Sequence, residues 1–240
     1  MLVEGKRYRD LPSFFKTLFG ERVQKLSIDG GFTCPNRDGN KGWGGCTYCN
    51  NASFNPDYCR EVKGITRQLE EGIRFFDAKY QGQKYLAYFQ AYSNTYAPLE
   101  VLKSRYEEAL AHPKVVGLVI ATRPDAVNEE ILDYIAGLSK HCYVCMEYGV
   151  ESVNERVLET IHRRHSYREA EWAICATAER GIYVGAHLIF GLPGETKESM
   201  LEGAVRLGNL PLHVLKLHQL QIIKAVSYTH LRAHETVLDL

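Results

Sequence analysis

The sequence favours an α/β fold of six parallel β-α units, either closed as a partial (β/α)6 barrel or open as a doubly wound sheet. Six short, apolar, β-rich segments alternate with helical ones. Such alternation builds parallel strands joined by right-handed crossovers. The length of 240 residues suits one α/β domain.

The elements follow in order. Strands are expected over residues 22–28, 85–92, 115–122, 143–150, 183–190 and 213–223. Those at 85–92 and 115–122 are short apolar runs, as strands buried on both faces require. A helix is expected over 62–80, with Ile65, Leu69, Ile73 and Phe76 on one stripe. The helix at 99–111 follows Pro98, a favourable first-turn residue. Asn128 caps the helix at 128–139, and Glu129 and Glu130 suit its positive end. The helix at 167–180 stops at Gly181, and the helix at 196–208 starts after Pro193-Gly194. No internal repeat or interdomain linker stands out. Residues 1–224 are expected to form one core domain. The tail AVSYTHLRAHETVLDL resembles appended cloning sequence, so 225–240 is expected to be non-native and the fold cut short at its C-terminus. His230 and His234 lie in that tail and are assigned no metal.

Composition narrows the function. Lysine plus arginine equals aspartate plus glutamate at 29 each, which argues against a strongly basic nucleic-acid binder. Apolar residues make up 45% and charged residues 24%, ordinary for a globular chain. No run of about 18 apolar residues occurs, so no membrane partner is expected. The N-terminus MLVEGKRYRDLPSFF lacks the apolar core of a signal peptide. A cytoplasmic location is the expectation. Seven cysteines, unevenly placed, read as metal ligands or core residues rather than as a disulfide framework.

Three of them fall in residues 29–58, a long Gly- and Asn-rich loop, and a loop of that length in a compact domain is usually functional. Cys34, Cys46 and Cys49 are spaced C-x11-C-x2-C. Three thiolates suit a [4Fe-4S] cluster with one iron left open. Gly39, Gly42, Gly44 and Gly45 allow close backbone approach to it. Adding Cys59 gives four sulfurs that could instead hold a structural zinc in an α/β binding module. Inert buried thiols are the third reading. Cys142 and Cys145 point to opposite faces of a strand, and Cys175 falls mid-helix as a core residue.

Residues beyond the loop carry a resemblance. The runs TCPNRDGNKGWGGCTYCNNASFNP, YFQAYSNTYAPLE, IATRPDAV, EYGVESVNERVLETIHRRHS and HLIFGLPGET together resemble the radical S-adenosylmethionine (AdoMet, or SAM) superfamily. Within it they are most similar to the YhcC/YtqA-like family, related to the catalytic subunit of elongator and to oxygen-independent coproporphyrinogen oxidase. The likeness spans about residues 8–224 and places its motifs at the ends of successive strands. It implies a partial (β/α)6 radical SAM barrel, a [4Fe-4S] cluster on Cys34, Cys46 and Cys49, and AdoMet as a small-molecule partner. The 11-residue gap departs from the common superfamily spacing and matches the closer family.

The resemblance also implies AdoMet contacts. Tyr48 matches the aromatic position whose backbone meets the adenine. Gln90-Ala91-Tyr92-Ser93 stands where a Gly-Gly motif receives the amino group, so Gln90 and Ser93 are the candidates there. Glu151, Arg163 and His187 match AdoMet-contacting positions of the coproporphyrinogen oxidase relatives. The turn Gly191–Gly194 is a further candidate for an anionic part of AdoMet, and Arg123 is expected to meet substrate or to pair with Asp125. The implied activity is reductive cleavage of AdoMet to a 5′-deoxyadenosyl radical that abstracts hydrogen, fed by a reductant such as flavodoxin or ferredoxin. A tRNA wobble uridine is the implied substrate, with His162–His165 and Arg168 as the phosphate-facing cluster.

Overall fold

A computed structural model describes residues 8–50, 55–80 and 82–221. The expected tail at 225–240 lies outside these. Six strands form one sheet: β1 (Val23–Ile28), β2 (Lys84–Phe89), β3 (Val115–Thr122), β4 (Tyr143–Glu151), β5 (Tyr183–Phe190) and β6 (Val214–Gln219). Each pairs in parallel with the next, in the order β1-β2-β3-β4-β5-β6. That order decides between the two architectures left open by the sequence. Right-handed crossovers that always step in one direction put every helix on the same face. A doubly wound sheet needs a reversal of strand order to clothe both faces. With one face clothed, the sheet curls around the other as a half-barrel.

The helices are α1 (Leu11–Phe19), α2 (Ile65–Asp77), α3 (Leu99–Leu110), α4 (Glu129–Ser139), α5 (Glu155–Thr160), α6 (Tyr167–Glu179) and α7 (Lys197–Gly208). Side-chain caps set their starts. Asn128 accepts from the Ile131 amide at 2.9 Å, and Ser166 and Thr196 form reciprocal capping boxes at α6 and α7. The α2 stripe is as expected, with Ile65, Leu69 and Ile73 buried. Its expected first turn is instead a short 3-10 segment ending at Gly64, whose φ of 67° breaks the helix. Helix α1 escaped the periodicity argument. Asp10 caps it, accepting from the Ser13 amide at 2.9 Å, and Gly20 ends it in the left-handed region.

Two apolar clusters result. The larger fills the space between sheet and helices and includes Leu26, Leu69, Phe89, Leu102, Tyr148 and Ile174. The smaller lies inside the curl, where Phe15 of α1 packs with Val23, Leu86, Val119, Tyr143 and Cys145. Helix α1 therefore plugs the N-terminal end of the half-barrel, and Phe15, Phe19 and Tyr143 meet edge to face at 5.6–5.9 Å. Cys145 belongs to the inner cluster and Cys142 packs on the outer one, the opposite-face placement that alternation demands. Cys175 is a correction: it is only partly buried and lies outside both clusters, because its position on α6 faces the flank of the helix rather than the sheet.

Candidate active site

The apolar plug occupies the lower interior, which leaves the C-terminal ends of the strands to frame a cavity of about 280 Å³. Parallel β/α folds bind ligands at that end. The cysteine loop after β1 forms one wall. Its 11-residue gap is a folded excursion. Asp38 and Trp43 pair as an antiparallel bridge, and the Pro35 carbonyl accepts from the amides of Lys41 at 2.8 Å and Gly42 at 3.2 Å. Gly45, with φ 88°, donates to the Asn36 carbonyl at 2.9 Å, and a Cβ there would come within 2.9 Å of the Arg37 guanidinium. Cys46 is thereby returned to the cavity wall that Cys34 also lines. A tight turn, Cys49 amide to Cys46 carbonyl at 3.0 Å, then delivers the third thiol. All three cysteines line the cavity.

Their surroundings are electropositive. Asn36 Nδ2 donates to Cys46 Sγ at 3.4 Å, and Arg163 Nη1 lies 3.6 Å from the same sulfur. Arg37 donates to the Cys49 carbonyl at 2.9 Å. Burial, and then the neighbouring Cys46, push the Cys49 thiol up. Arg163 is held on several sides. It donates to the Gly149 carbonyl at 2.6 Å and to His165 Nε2 at 2.9 Å, and it pairs with Glu151 at 3.4 Å. Any Cβ at Gly149 would sit 2.5 Å from the Glu151 carboxylate and 2.6 Å from Arg163. That glycine is what lets the Arg163–Glu151 pair cross the end of β4.

Tyr48, Gln90, Ser93, Glu151, Arg163 and His187 all line the same cavity as the cysteines. Strand β2 ends at Phe89, earlier than the expected 92, because Tyr92 turns with φ 63° and the Ser93 amide bonds back to the Thr33 carbonyl at 3.2 Å. Tyr92 therefore takes, without glycine, the left-handed backbone that a glycine motif would supply. Among the described residues the non-glycine positive-φ positions are Tyr92, Glu151, His162 and Arg164. The first two line the cavity and the others flank Arg163. Strain of this kind concentrates at functional sites.

Sequence reasoning passed over a layer of charge below this rim. Glu147 is 1% exposed and forms an ion pair with Lys25 across the half-barrel. Its other oxygen meets His187 Nε2 at 3.0 Å. Burial opposes its ionisation, but His187 and Lys25 together hold its carboxyl well below the usual range. Lys216 and His218 project from β6 toward the same space. The signal was present as charged residues at inward positions of apolar strands, VQKLSI, YVCMEYGVE and VLKLHQ.

Of the remaining expectations, one of the two given for Arg123 is met. Arg123 pairs with Asp125 through a two-pronged contact at 2.9 and 2.8 Å. Burial opposes ionisation of Asp125, yet Arg123 and Lys41 bring its carboxyl down to about 2. Cys59 is buried beside Asp29 with its thiol pushed up to about 12 by desolvation, and it does not line the cavity. The four-sulfur zinc arrangement is therefore not assembled. The Gly191–Gly194 turn does not line the cavity either; with φ of 83° and 82° at its ends it turns the chain into α7. The basic cluster is split by burial. Arg163 and His165 are buried and only His162, Arg164 and Arg168 are exposed, because the segment after α5 turns at His162 and Arg164, both with positive φ, while its backbone is held by Asn36 of the cysteine loop.

The donor set fits an anionic iron–sulfur cluster with a polar ligand beside it. Three thiols share one cavity with Arg37 and Arg163. Two further lining residues, Ser93 and Arg123, carry buried polar atoms, Oγ and Nη1, with no partner. Such atoms call for a ligand. Among the described residues no helix is long and apolar enough to cross a membrane.

Comparison with known proteins agrees with this geometry. The family described as the Radical SAM superfamily matches residues 34–204. YtqA of Bacillus subtilis (strain 168) is 37% identical over 219 residues, covering 91% of this chain and 68% of that protein. YhcC of Escherichia coli (strain K12) is 38% identical over 207 residues, covering 86% and 66%. Among solved structures, the archaeal Elp3 of Methanocaldococcus infernus superposes with a TM-score of 0.62 at 17% identity, covering 88% of this chain and 49% of that one. Coproporphyrinogen III oxidase of Escherichia coli, a radical SAM enzyme, gives 0.60 at 15% identity, covering 93% and 50%. These two likenesses concern the fold. The chain spans 66–68% of the length of those two curated relatives and 49–50% of those two solved chains.

Proposed function

The chain belongs to the radical SAM superfamily, and from that premise we propose that it binds a [4Fe-4S] cluster through Cys34, Cys46 and Cys49 and AdoMet in the adjoining cavity. The observation that carries the reading is that these three thiols, from a folded loop, share one cavity with the ends of β2, β4, β5 and β6. When bound, the cluster and AdoMet supply reductive carbon–sulfur cleavage and, through it, hydrogen abstraction.

The protein's own part is binding, orientation and exclusion of water. Arg163, Arg37 and Asn36 oppose the negative charge of three thiolates. Ser93 Oγ, buried without a partner, is free to meet the amino end of AdoMet, with Gln90 beside it. Tyr48 offers the adenine a backbone edge. Glu151, fixed by Arg163, is the acceptor for a hydroxyl or amino group. His187 commits Nε2 to Glu147 and keeps Nδ1 for the cavity. The apolar plug around Phe15 closes the lower end, which limits quenching by solvent.

A tRNA base as substrate is favoured by one surface. Trp43 is 78% exposed, Arg164 lies against the neighbouring Gly42 backbone, and His162 and Arg168 are also exposed. An exposed ring one residue from the backbone that Arg164 covers suits a stacked base. Nucleoside profiling of tRNA from a deletion strain tests that substrate.

The activity is tested on anaerobically prepared protein. Iron bound through the three cysteines and 5′-deoxyadenosine release under a strong reductant are the expected results. Protein that takes up no iron, or never cleaves AdoMet, refutes the proposal.

A further inference from the structure

The inner wall of the cavity holds more positive charge than its own residues neutralise. Lys25 Nζ lies over the Tyr88 ring at 4.8 Å and Lys216 Nζ over the same ring at 5.6 Å. Two ammonium groups thus converge on one aromatic ring. Glu147 and Glu151 are the carboxylates whose charge reaches Lys216, and both are already paired, Glu147 with Lys25 and His187 and Glu151 with Arg163. Among the described residues Lys216 has no ion-pair partner, only the ring.

The geometry is built by register. His187 pairs with Lys216 and Ile189 with His218 across β5 and β6, so Lys216 and His218 share the inward face with His187. The His187 and His218 rings lie 5.2 Å apart. Burial pulls the Lys216 ammonium down from its ordinary value, and burial with Lys216 brings His218 down to about 4. His218 is therefore neutral near pH 7 and able to donate one hydrogen bond. A half-buried cation with no ion pair of its own favours a ligand that completes it.

We propose that Lys216, with His218 beside it, is the subsite for an anionic group of the substrate, a carboxylate or a phosphate. As a statement about substrate this rests on the radical SAM reading of the cavity. Lys25 holds Glu147 as a fixed backing, so Lys216 keeps no ion pair of its own, and both ammonium groups lie over the Tyr88 ring. A substrate held there by its charged end presents the rest of its length toward the cysteine wall. The AdoMet carboxylate is the competing occupant, and the test separates the two.

The full chain, loaded with its cluster, is titrated with inorganic phosphate and in parallel with acetate, by calorimetry. Saturable binding of one or both is expected, and the stronger of the two identifies the anionic group. Lys216→Met weakens it on the order of tenfold or more, whereas Lys216→Arg and the remote Lys140→Met retain it. Should Lys216→Met fail to fold, protection of the Lys216 amine from acetylation by the same ion in the unmodified protein decides the matter. Saturating AdoMet leaves phosphate binding in place. Equal binding by Lys216→Met, absence of saturable binding or of protection, or competitive displacement by AdoMet overturns the proposal. Iron uptake is measured separately, so a protein that takes up no iron on anaerobic loading yet binds phosphate refutes the radical reading while the anion site stands.

Discussion

Arg163 points Nη1 at the sulfur of Cys46 from 3.6 Å, although 117 residues separate them in sequence. The contact joins the cysteine loop to the end of β4, because the same guanidinium holds the Gly149 carbonyl and Glu151. Loop, strand end and ion pair therefore stand or fall together.

Replacing Arg163 by Met leaves Glu151 buried without its cation. Losing one partner of a buried pair costs about 3–5 kcal/mol. Urea unfolding of Arg163→Met is expected to show a loss of that size, while Arg164→Met, at an exposed neighbour, stays within about 0.5 kcal/mol.

Cys34→Ala, Cys46→Ala and Cys49→Ala are each expected to abolish iron loading, read as iron per chain. Cys59→Ala and Cys175→Ala keep it, since neither residue lines the cavity. Normal iron content in Cys46→Ala contradicts the ligand assignment.

His165 is buried, and burial together with the Arg163 and Arg123 guanidinia brings its imidazole down to about 3. In the unfolded chain it titrates near 6.5. The unfolded state therefore takes up a proton that the folded state refuses. Stability from this group is complete above pH 6.5 and is lost as pH falls from there toward 3. The slope approaches about 1.4 kcal/mol per pH unit. His165→Gln keeps an acceptor for Arg163 and removes that slope. Stability measured between about pH 6.5 and 4.5 is expected to depend less steeply on pH in the variant, and an unchanged slope rules the assignment out.

Phe15 seals the lower interior against Tyr143. Phe15→Ala is expected to cost about 3–5 kcal/mol, seen in denaturant midpoints, with iron loading per folded chain unchanged. A near-neutral effect means that α1 does not close the half-barrel.

Much of the fold was legible because parallel strands buried on both faces leave a strong mark. The apolar runs of β3 and β5 match their expected ends, Val115–Thr122 and Tyr183–Phe190. Strand β2 was read too long because the turn that ends it relies on Tyr92, a residue with no turn signature. Helix α1 was missed because its apolar face is satisfied only by the barrel interior. The cysteine spacing marked the site, yet the same spacing admitted zinc, and only the place of Cys59 beside Asp29, off the cavity wall, separates that residue from the other three.

By itself the sequence determined the six strands and the helices between them, the cysteine loop and the order in which its motifs meet the strand ends, since periodicity and spacing are local properties of the chain. The tertiary structure alone decided that the sheet curls, and that Lys25 meets Glu147 across 122 residues. It also left Lys216 over Tyr88 with no ion pair among the described residues. Charge pairing inside a half-barrel depends on which inward positions face one another after closure, and no local pattern carries that information.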